Sequence, residues 1–387
     1  MAVRYAPPRY SGTSVRSPRN PTAPWRHIDV VLLASVLCLA GTGILMVYSS
    51  TRQRQLASGL DPQEYLKRQA LFVGLGLAVM AVCILVDYRT ITVAAPALFV
   101  GSCLLLLLVL TPIGSTTRGA QAWFQLGPFN FQPSEIAKVA AILALAAYLS
   151  LHRGDIDTPQ ILVTLGMAAV PLLLIYLQND MGTGMVFIAV LMGMLLVAGA
   201  KPRHIAALTA LGVMAVVAVF QLGILKEYQL DRLAAFLDPA GEPERSSYNL
   251  RQSQIAIAAG GLTGRGVFQG TQTNLSFVPE QHTDFIFTAV GEELGFIGAT
   301  TLLALLGLVM WRTWRAAALA KDQFGSLICV GVLSMLLFQI FENIGMTMGI
   351  TPIVGIPLPF VSYGGSAMIA CFAAVGLVLN VHMRRYS

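Results

Sequence analysis

The segment FVPEQHTDFIFTAVGEELGF, Phe277 to Phe296, sets Glu280, His282, Asp284, Glu292 and Glu293 in and around the start of a strongly apolar run. The segment QPSEIAK, Gln132 to Lys138, carries Glu135 and Lys138 three residues apart, hence on one helix face. Pro133 suits a first helical turn, where its missing N–H costs nothing. Two readings of this pair stand side by side. It is an ion pair whose lysine stretches to the membrane interface, or a carboxylate and an ammonium lining a polar cavity. In the second case Lys138 offers a point charge for a phosphate. A third segment, GITPIVGIPLPFVSYGGS, Gly349 to Ser366, follows the polar pair Glu342–Asn343 and is dense in Pro and Gly. It reads as a re-entrant loop, since non-helical backbone at membrane depth survives where protein buries it or a cavity borders it. The competing reading is a plain turn before the last apolar run. Gly364 and Gly365 permit close backbone approach.

The elements that must position these groups are membrane spans. Hydrophobic residues make up 56% of the 387 and charged residues only 11%, against about 25% in a soluble domain. There is too little charge to cover a water-facing surface. Spans of about 20 apolar residues are expected at 28–50, 68–87, 91–111, 133–152, 159–178, 183–200, 203–225, 284–312, 325–348 and 365–383. The fold class is therefore an all-α polytopic membrane protein with ten transmembrane helices. Spans five and six, divided only by QNDMG, read as a broken pair. The net charge of +6 is no argument for nucleic acid, because no basic run is interleaved with aromatics. Cys38, Cys83, Cys103, Cys329 and Cys371 all lie in apolar runs without metal-ligand spacing, so they read as small hydrophobes and no disulfide is expected.

Residues 1–27, rich in Pro, Ser and Arg, read as a disordered cytoplasmic tail. Orientation follows from the positive charges of the loops. Arg4, Arg9, Arg16, Arg19, Arg26, Arg89, Arg153, Lys201, Arg203, Arg312, Arg315, Lys321, Arg384 and Arg385 fall on one side. Arg52, Arg54, Lys67, Arg68 and Arg118 fall on the other. Both termini are then expected in the cytoplasm, with the large 226–283 loop between helices seven and eight outside. The 111–132 loop and the Gly349–Ser366 segment share that outer side.

A helix begun at Asp284 would be capped by Thr283 or His282. At about 100° per residue, Glu293 would then face away from Asp284. The two cannot serve one site from one helix. Glu292 and Glu293 are expected to bond neighbouring helices or loops, leaving Asp284 to face an outward cavity. AAGGLTGRGVFQG, Ala258 to Gly270, lacks the GK[ST] ending and the preceding strand of a phosphate loop, so a nucleotide site is rejected.

QPSEIAK, QNDMGTG, RQSQIAIAAGGLTGRGVFQGTQ, FVPEQHTDFIFTAVGEELG and PLPFVSYGGS together resemble the signature segments of the SEDS family (shape, elongation, division and sporulation), in family order. The resemblance covers roughly residues 28–385, which then form one transmembrane glycosyltransferase domain. GIPLPFVSYGGS and the short tails look more like the rod-shape branch, RodA, than the division branch, FtsW. One departure is Ala122, where the family often carries Arg before the Trp of the first outer loop; Arg118 is the candidate substitute.

The resemblance implies a peptidoglycan glycosyltransferase that polymerises lipid II at the outer face of the cytoplasmic membrane with inversion at the anomeric carbon. Asp284 is then the general base, and Lys138 and Arg118 hold the pyrophosphate. Glu135 orients Lys138 or binds a metal. Gln132, Ser134, Glu280, His282, Thr283, Ser362, Tyr363 and Ser366, from the same segments, complete the expected substrate-binding set. Two pyrophosphates at one site make a divalent cation, Mg or Mn, chemically reasonable, with Glu135 and Asp284 as candidate ligands, although no compact ligand motif is present. Implied partners are lipid II, the undecaprenyl-pyrophosphate-linked glycan, a class B penicillin-binding protein transpeptidase and other elongation-complex membrane proteins. The rival reading is a lipid II flippase. It would call for charges at the bilayer midplane and inverted repeats, whereas the charges cluster at the outer ends of the spans.

Overall fold

Hydrocarbon offers no water to backbone N–H and C=O groups, so each apolar run closes its hydrogen bonds within itself as a helix. The structure, a computed structural model, describes residues 27–117, 119–127, 129–152, 154, 156–223, 230, 236 and 245–386. Among these, ten helices are long and apolar enough to cross a membrane. They are α1 (Val30–Ala57), α2 (Glu64–Leu85), α3 (Tyr88–Val109), α4 (Pro133–Ser150), α5 (Thr158–Leu177), α6 (Met181–Ala198) and α7 (Pro202–Gln221). After the large connection come α10 (Ile286–Ala318), α11 (Gln323–Met348) and α12 (Gly365–Met383). They follow the ten expected spans. The larger differences are at α1, which continues to Ala57 instead of stopping near residue 50, and α10, which reaches Ala318.

Aspartates start several helices. Asp29 Oδ1 accepts from Leu32 N–H at 3.0 Å, Asp180 Oδ1 from Thr183 N–H at 3.1 Å and Asp322 Oδ1 from Gly325 N–H at 2.7 Å, each satisfying a first-turn donor. Between α5 and α6, Asn179 takes a left-handed φ of 60°, which gives the expected break. Most of α4, α11 and α12 is buried at the centre, while no residue of α7 across Pro202–Val219 is buried.

Two stretches read as loops carry structure of their own. The 111–132 connection is a small antiparallel sheet of β1 (Ser115–Thr117), β2 (Ala120–Leu126) and β3 (Phe129–Phe131), in the order β1-β2-β3. It qualifies the all-α expectation. Phe124 pairs with Phe131, and their rings stack at 6.4 Å. Gln121 N–H donates to Gln178 O at 3.1 Å, pinning the sheet to the end of α5. The described part of the 226–283 connection holds α8 (Arg245–Ala259) and the short α9 (Thr271–Asn274). The rest of that loop apart from residues 230 and 236, the tail up to residue 26, and Arg118 lie outside the described residues.

The Ala258–Gly270 motif has a structural task. Helix α10 breaks at Gly295, with φ 65° and ψ −162°, which frees backbone groups inside an apolar helix. The motif satisfies them. Arg265 and Gly266 N–H donate to Glu292 O and Glu293 O, both at 3.0 Å. Phe296 and Ile297 N–H donate to Gly261 O at 2.9 Å and Leu262 O at 3.1 Å. Backbone can come this close because Gly264 has no Cβ: one would press into Glu293 O and Gly295 N.

The described termini share one end of the bundle. There the His27 and Tyr386 rings meet at 5.0 Å, and Arg312 Nε donates to Asp29 Oδ2 at 2.6 Å. The opposite end gathers the sheet, the α5–α6 break, the turn before α10 and the 349–364 loop.

Candidate functional site

The turn Glu280–Phe285 carries Asp284. Glu280 adopts φ 58°, and its carbonyl accepts from Thr283 N–H at 3.1 Å, Asp284 N–H at 3.2 Å and Thr283 Oγ1 at 3.1 Å. This tight turn delays the helix. α10 starts at Ile286, its N-cap is Phe285, and no side chain caps it. The expectation that the helix begins at Asp284 under a Thr283 or His282 cap is corrected: Thr283 spends its hydroxyl inside the turn. Beneath, the buried Gln281 donates from Nε2 to Thr273 Oγ1 at 2.9 Å and Thr288 Oγ1 at 3.1 Å.

Asp284 is half-buried. Its carbonyl accepts from Asn343 Nδ2 on α11 at 2.8 Å, and the same nitrogen donates to Ile356 O at 2.7 Å. Its carboxylate lies beside the 349–364 loop, where a Cβ built on Gly355 would stand 3.2 Å from Oδ2. The loop carries neither helix nor strand over 352–358, as the density of Pro and Gly leads one to expect. Leu358 N–H donates to Ser362 Oγ at 2.8 Å, and Ser362 O accepts from Gln69 Nε2 at 3.2 Å. Ser362 thus holds the loop closed and is itself buried.

Glu135 and Lys138 sit on the first turns of α4, 3% and 2% exposed. Lys138 Nζ stands 2.8 Å from both carboxylate oxygens. A lysine reaching out to the interface would show its ammonium; this one is enclosed, with its charge matched by Glu135. Ser134 beside them is also buried.

The 362–366 segment links this pair's helix to the Asp284 turn. Ser366 Oγ accepts from Gln132 N–H at 2.9 Å, and Gln132 Nε2 donates to Asp180 Oδ2 at 3.0 Å. Tyr363 N–H donates to His282 O at 2.9 Å. The Tyr65, His282 and Tyr363 rings form a triad with centroids 5.0 to 5.7 Å apart. Burial raises the Tyr363 hydroxyl above its ordinary pKa, opposed by a hydrogen bond from Arg68. Arg68 in turn pairs with Glu64. Sequence reasoning did not assign Tyr65, Arg68, Gln69, Asp180, Asn343 or Gly355. The polar run EYLKRQ at the start of an apolar span was the available signal for the first three.

Glu292 and Glu293 bond neighbouring elements, as expected. Glu292 accepts from Gln272 N–H at 2.8 Å and from Thr273 N–H and Oγ1 at 2.9 and 2.8 Å, seating α9. Glu293 Oε1 accepts from Ser49 Oγ on α1 at 2.6 Å. Ala122 is buried. A cation needs several converging ligands, and no group of three or more His, Cys, Asp or Glu side chains gathers among the described residues. Glu135 is moreover matched by Lys138.

A carboxylate on a braced turn and a buried ammonium at the same end of ten spans meet the chain's relatives here. Residues 30–387 match the family described as FTSW_RODA_SPOVE, cell cycle protein. The chain belongs to this SEDS family. It is 38% identical over 363 residues to peptidoglycan glycosyltransferase MrdB of Escherichia coli (strain K12), covering 93% of this chain and 94% of that protein. To stage V sporulation protein E of Bacillus subtilis (strain 168) it is 38% identical over 362 residues, covering 93% and 97%. To the probable peptidoglycan glycosyltransferase FtsW of Geobacter sp. (strain M18) it is 38% identical over 363 residues, covering 92% and 97%. Among solved structures, the crystal structure of Thermus thermophilus rod shape determining protein RodA matches with a TM-score of 0.69 at 30% identity, covering 94% of this chain and 99% of that one. A structure describing the coordination of polymerization and crosslinking by a peptidoglycan synthase complex matches with a TM-score of 0.79 at 33% identity, covering 94% and 100%. Like other SEDS proteins, this one is an integral inner-membrane protein.

Proposed function

We infer that this SEDS protein is a peptidoglycan glycosyltransferase that polymerises lipid II, with Asp284 as the general base. The observation that carries the reading is a half-buried carboxylate on a braced turn at the same end of the bundle as the enclosed Glu135–Lys138 pair, the two joined through the 362–366 segment. The GlcNAc 4-hydroxyl of the acceptor attacks C1 of the donor's lipid-linked MurNAc. Its proton passes to the Asp284 carboxylate as the O4–C1 bond forms. The bond from C1 to the pyrophosphate oxygen breaks, that oxygen keeps the electron pair, and the α centre becomes β. Lys138 meets the charge growing on the pyrophosphate, and Glu135 orients it. Arg118, the candidate substitute for the arginine that the family often carries where this chain has Ala122, is assigned to the same role. Gln132, Ser134, Glu280, His282, Thr283, Ser362, Tyr363 and Ser366 shape the surrounding wall.

The loop charges favour cytoplasmic termini and an outward site, and the shared end of the described termini is consistent with that. GIPLPFVSYGGS favours the rod-shape branch, although identity to the MrdB and FtsW relatives is the same 38%. In that branch a class B penicillin-binding protein transpeptidase and other elongation-complex membrane proteins are the partners. The likeness to a peptidoglycan synthase complex supports such an assembly.

The deciding experiment compares purified parent and Asp284→Asn proteins for lipid II polymerisation, matched for folded amount. Asn keeps the size and the backbone contacts but takes no proton at working pH. Loss of a general base should lower the rate about 10²–10⁴-fold. A folded Asp284→Asn protein at the parent rate would make Asp284 a turn residue only.

A further inference from the structure

Asn343 lies on α11 and is 0% exposed. Its Nδ2 carries two N–H donors. One goes to the Asp284 carbonyl at 2.8 Å and the other to the Ile356 carbonyl at 2.7 Å. The amide orientation is forced, since the opposite one would turn an oxygen toward two carbonyl oxygens. Ile356 follows Gly355, the residue whose missing Cβ leaves room for Asp284 Oδ2 and whose φ is 84°. One nitrogen therefore ties down both the backbone of the carboxylate and the wall beside it. The bonds within the turn, Thr283 and Asp284 N–H to Glu280 O, shape the turn but do not fix its distance from the loop. Tyr363 N–H to His282 O holds the far side of the turn to the same loop. Asn343 holds the near side from a third element, the buried helix α11.

We propose that Asn343 is a positioning residue, its side-chain amide setting the Asp284 carboxylate against the Gly355 wall by donating to the Asp284 and Ile356 carbonyls. This rests on the reading of Asp284 as the base. A buried amide that spans two chain segments can also serve folding alone, and the two roles separate in kinetics. Positioning acts on the reaction step. A displacement of about 1 Å costs on the order of 10²-fold in rate and leaves substrate binding by other residues intact. A folding role lowers the amount of active protein without altering the rate per folded molecule.

The test uses the full-length protein in lipid nanodiscs, with lipid II as substrate and rates normalised to folded protein. Asn343→Ala removes the amide. Asn343→Asp keeps its size and removes the paired donors. Ser253→Ala is the control. Ser253 Oγ is equally buried and donates to Thr347 O of the same helix at 2.7 Å, one turn nearer the helix end, so its loss costs stability without touching the Asp284 turn. The expected result is a kcat about 10- to 100-fold lower for both Asn343 variants with KM nearly unchanged, and a parent-like kcat for Ser253→Ala. A parent-like kcat in the folded Asn343 variants, or an equal loss in Ser253→Ala, overturns the proposal. So does failure of both Asn343 variants to fold, which would make Asn343 a folding residue. A parent protein that does not polymerise lipid II, or an Asp284→Asn protein that does so at full rate, overturns the functional reading instead.

Discussion

Lys138→Met separates charge stabilisation in the reaction from a purely structural ion pair. In the parent, Lys138 Nζ lies 2.8 Å from both oxygens of Glu135, and the two side chains are 2% and 3% exposed. Methionine matches the lysine stem in length but leaves the Glu135 carboxylate buried without its counter-charge. Removing one partner of such a pair costs about 3–5 kcal/mol, whereas replacing both is near neutral or stabilising. The single variant should therefore melt well below the parent, and Glu135→Gln with Lys138→Met should recover most of that loss. Activity should not follow stability. If Lys138 meets the pyrophosphate charge, the double variant lacks a preorganised cation, a deficit worth about 10²–10³-fold in rate. The assay is thermal unfolding of the purified variants beside lipid II polymerisation per folded molecule. A double variant that is both stable and fully active would refute the catalytic role of Lys138. A single variant as stable as the parent would refute the picture of a buried, mutually dependent pair.

Three further outcomes are expected. Glu292→Gln keeps one acceptor oxygen but turns an N–H group toward the N–H donor of either Gln272 or Thr273, so it should lose about 1–3 kcal/mol of stability while the rate per folded molecule stays near the parent's. Tyr363 has a folded pKa above its ordinary value because it is buried. Its contribution to stability is thus fully present below the unfolded value of about 10 and is lost as pH rises through the folded value; Tyr363→Phe should flatten the alkaline limb of a melting-temperature profile. With the native cysteines replaced, a membrane-impermeant thiol reagent applied outside cells should label Glu242→Cys and not Lys321→Cys, and the reverse pattern would sink an outward-facing site.

The ten spans and the cluster of chemistry at one end of them were legible in the sequence for one reason. The thickness of hydrocarbon sets the length of each helix, and every charge inside such a run stands out against it. Glu135 and Lys138 could be placed on one face from spacing alone, and Glu293 could be set opposite Asp284 in the same way. The helix start was misjudged by two residues because Glu280 adopts a left-handed turn, a conformation that no propensity assigns to glutamate. Only the tertiary structure decided what long-range contacts decide. Lys138 is enclosed because helices pack around α4, and a span's composition does not say which face its neighbours cover. The Ala258–Gly270 motif matters because α10 breaks at Gly295, and its glycines reveal their purpose only when the two backbones meet. Asn343 is fifty-nine residues from Asp284 in the chain. Its donation to that turn and to Ile356 exists only once α11, α10 and the loop share one end of the bundle.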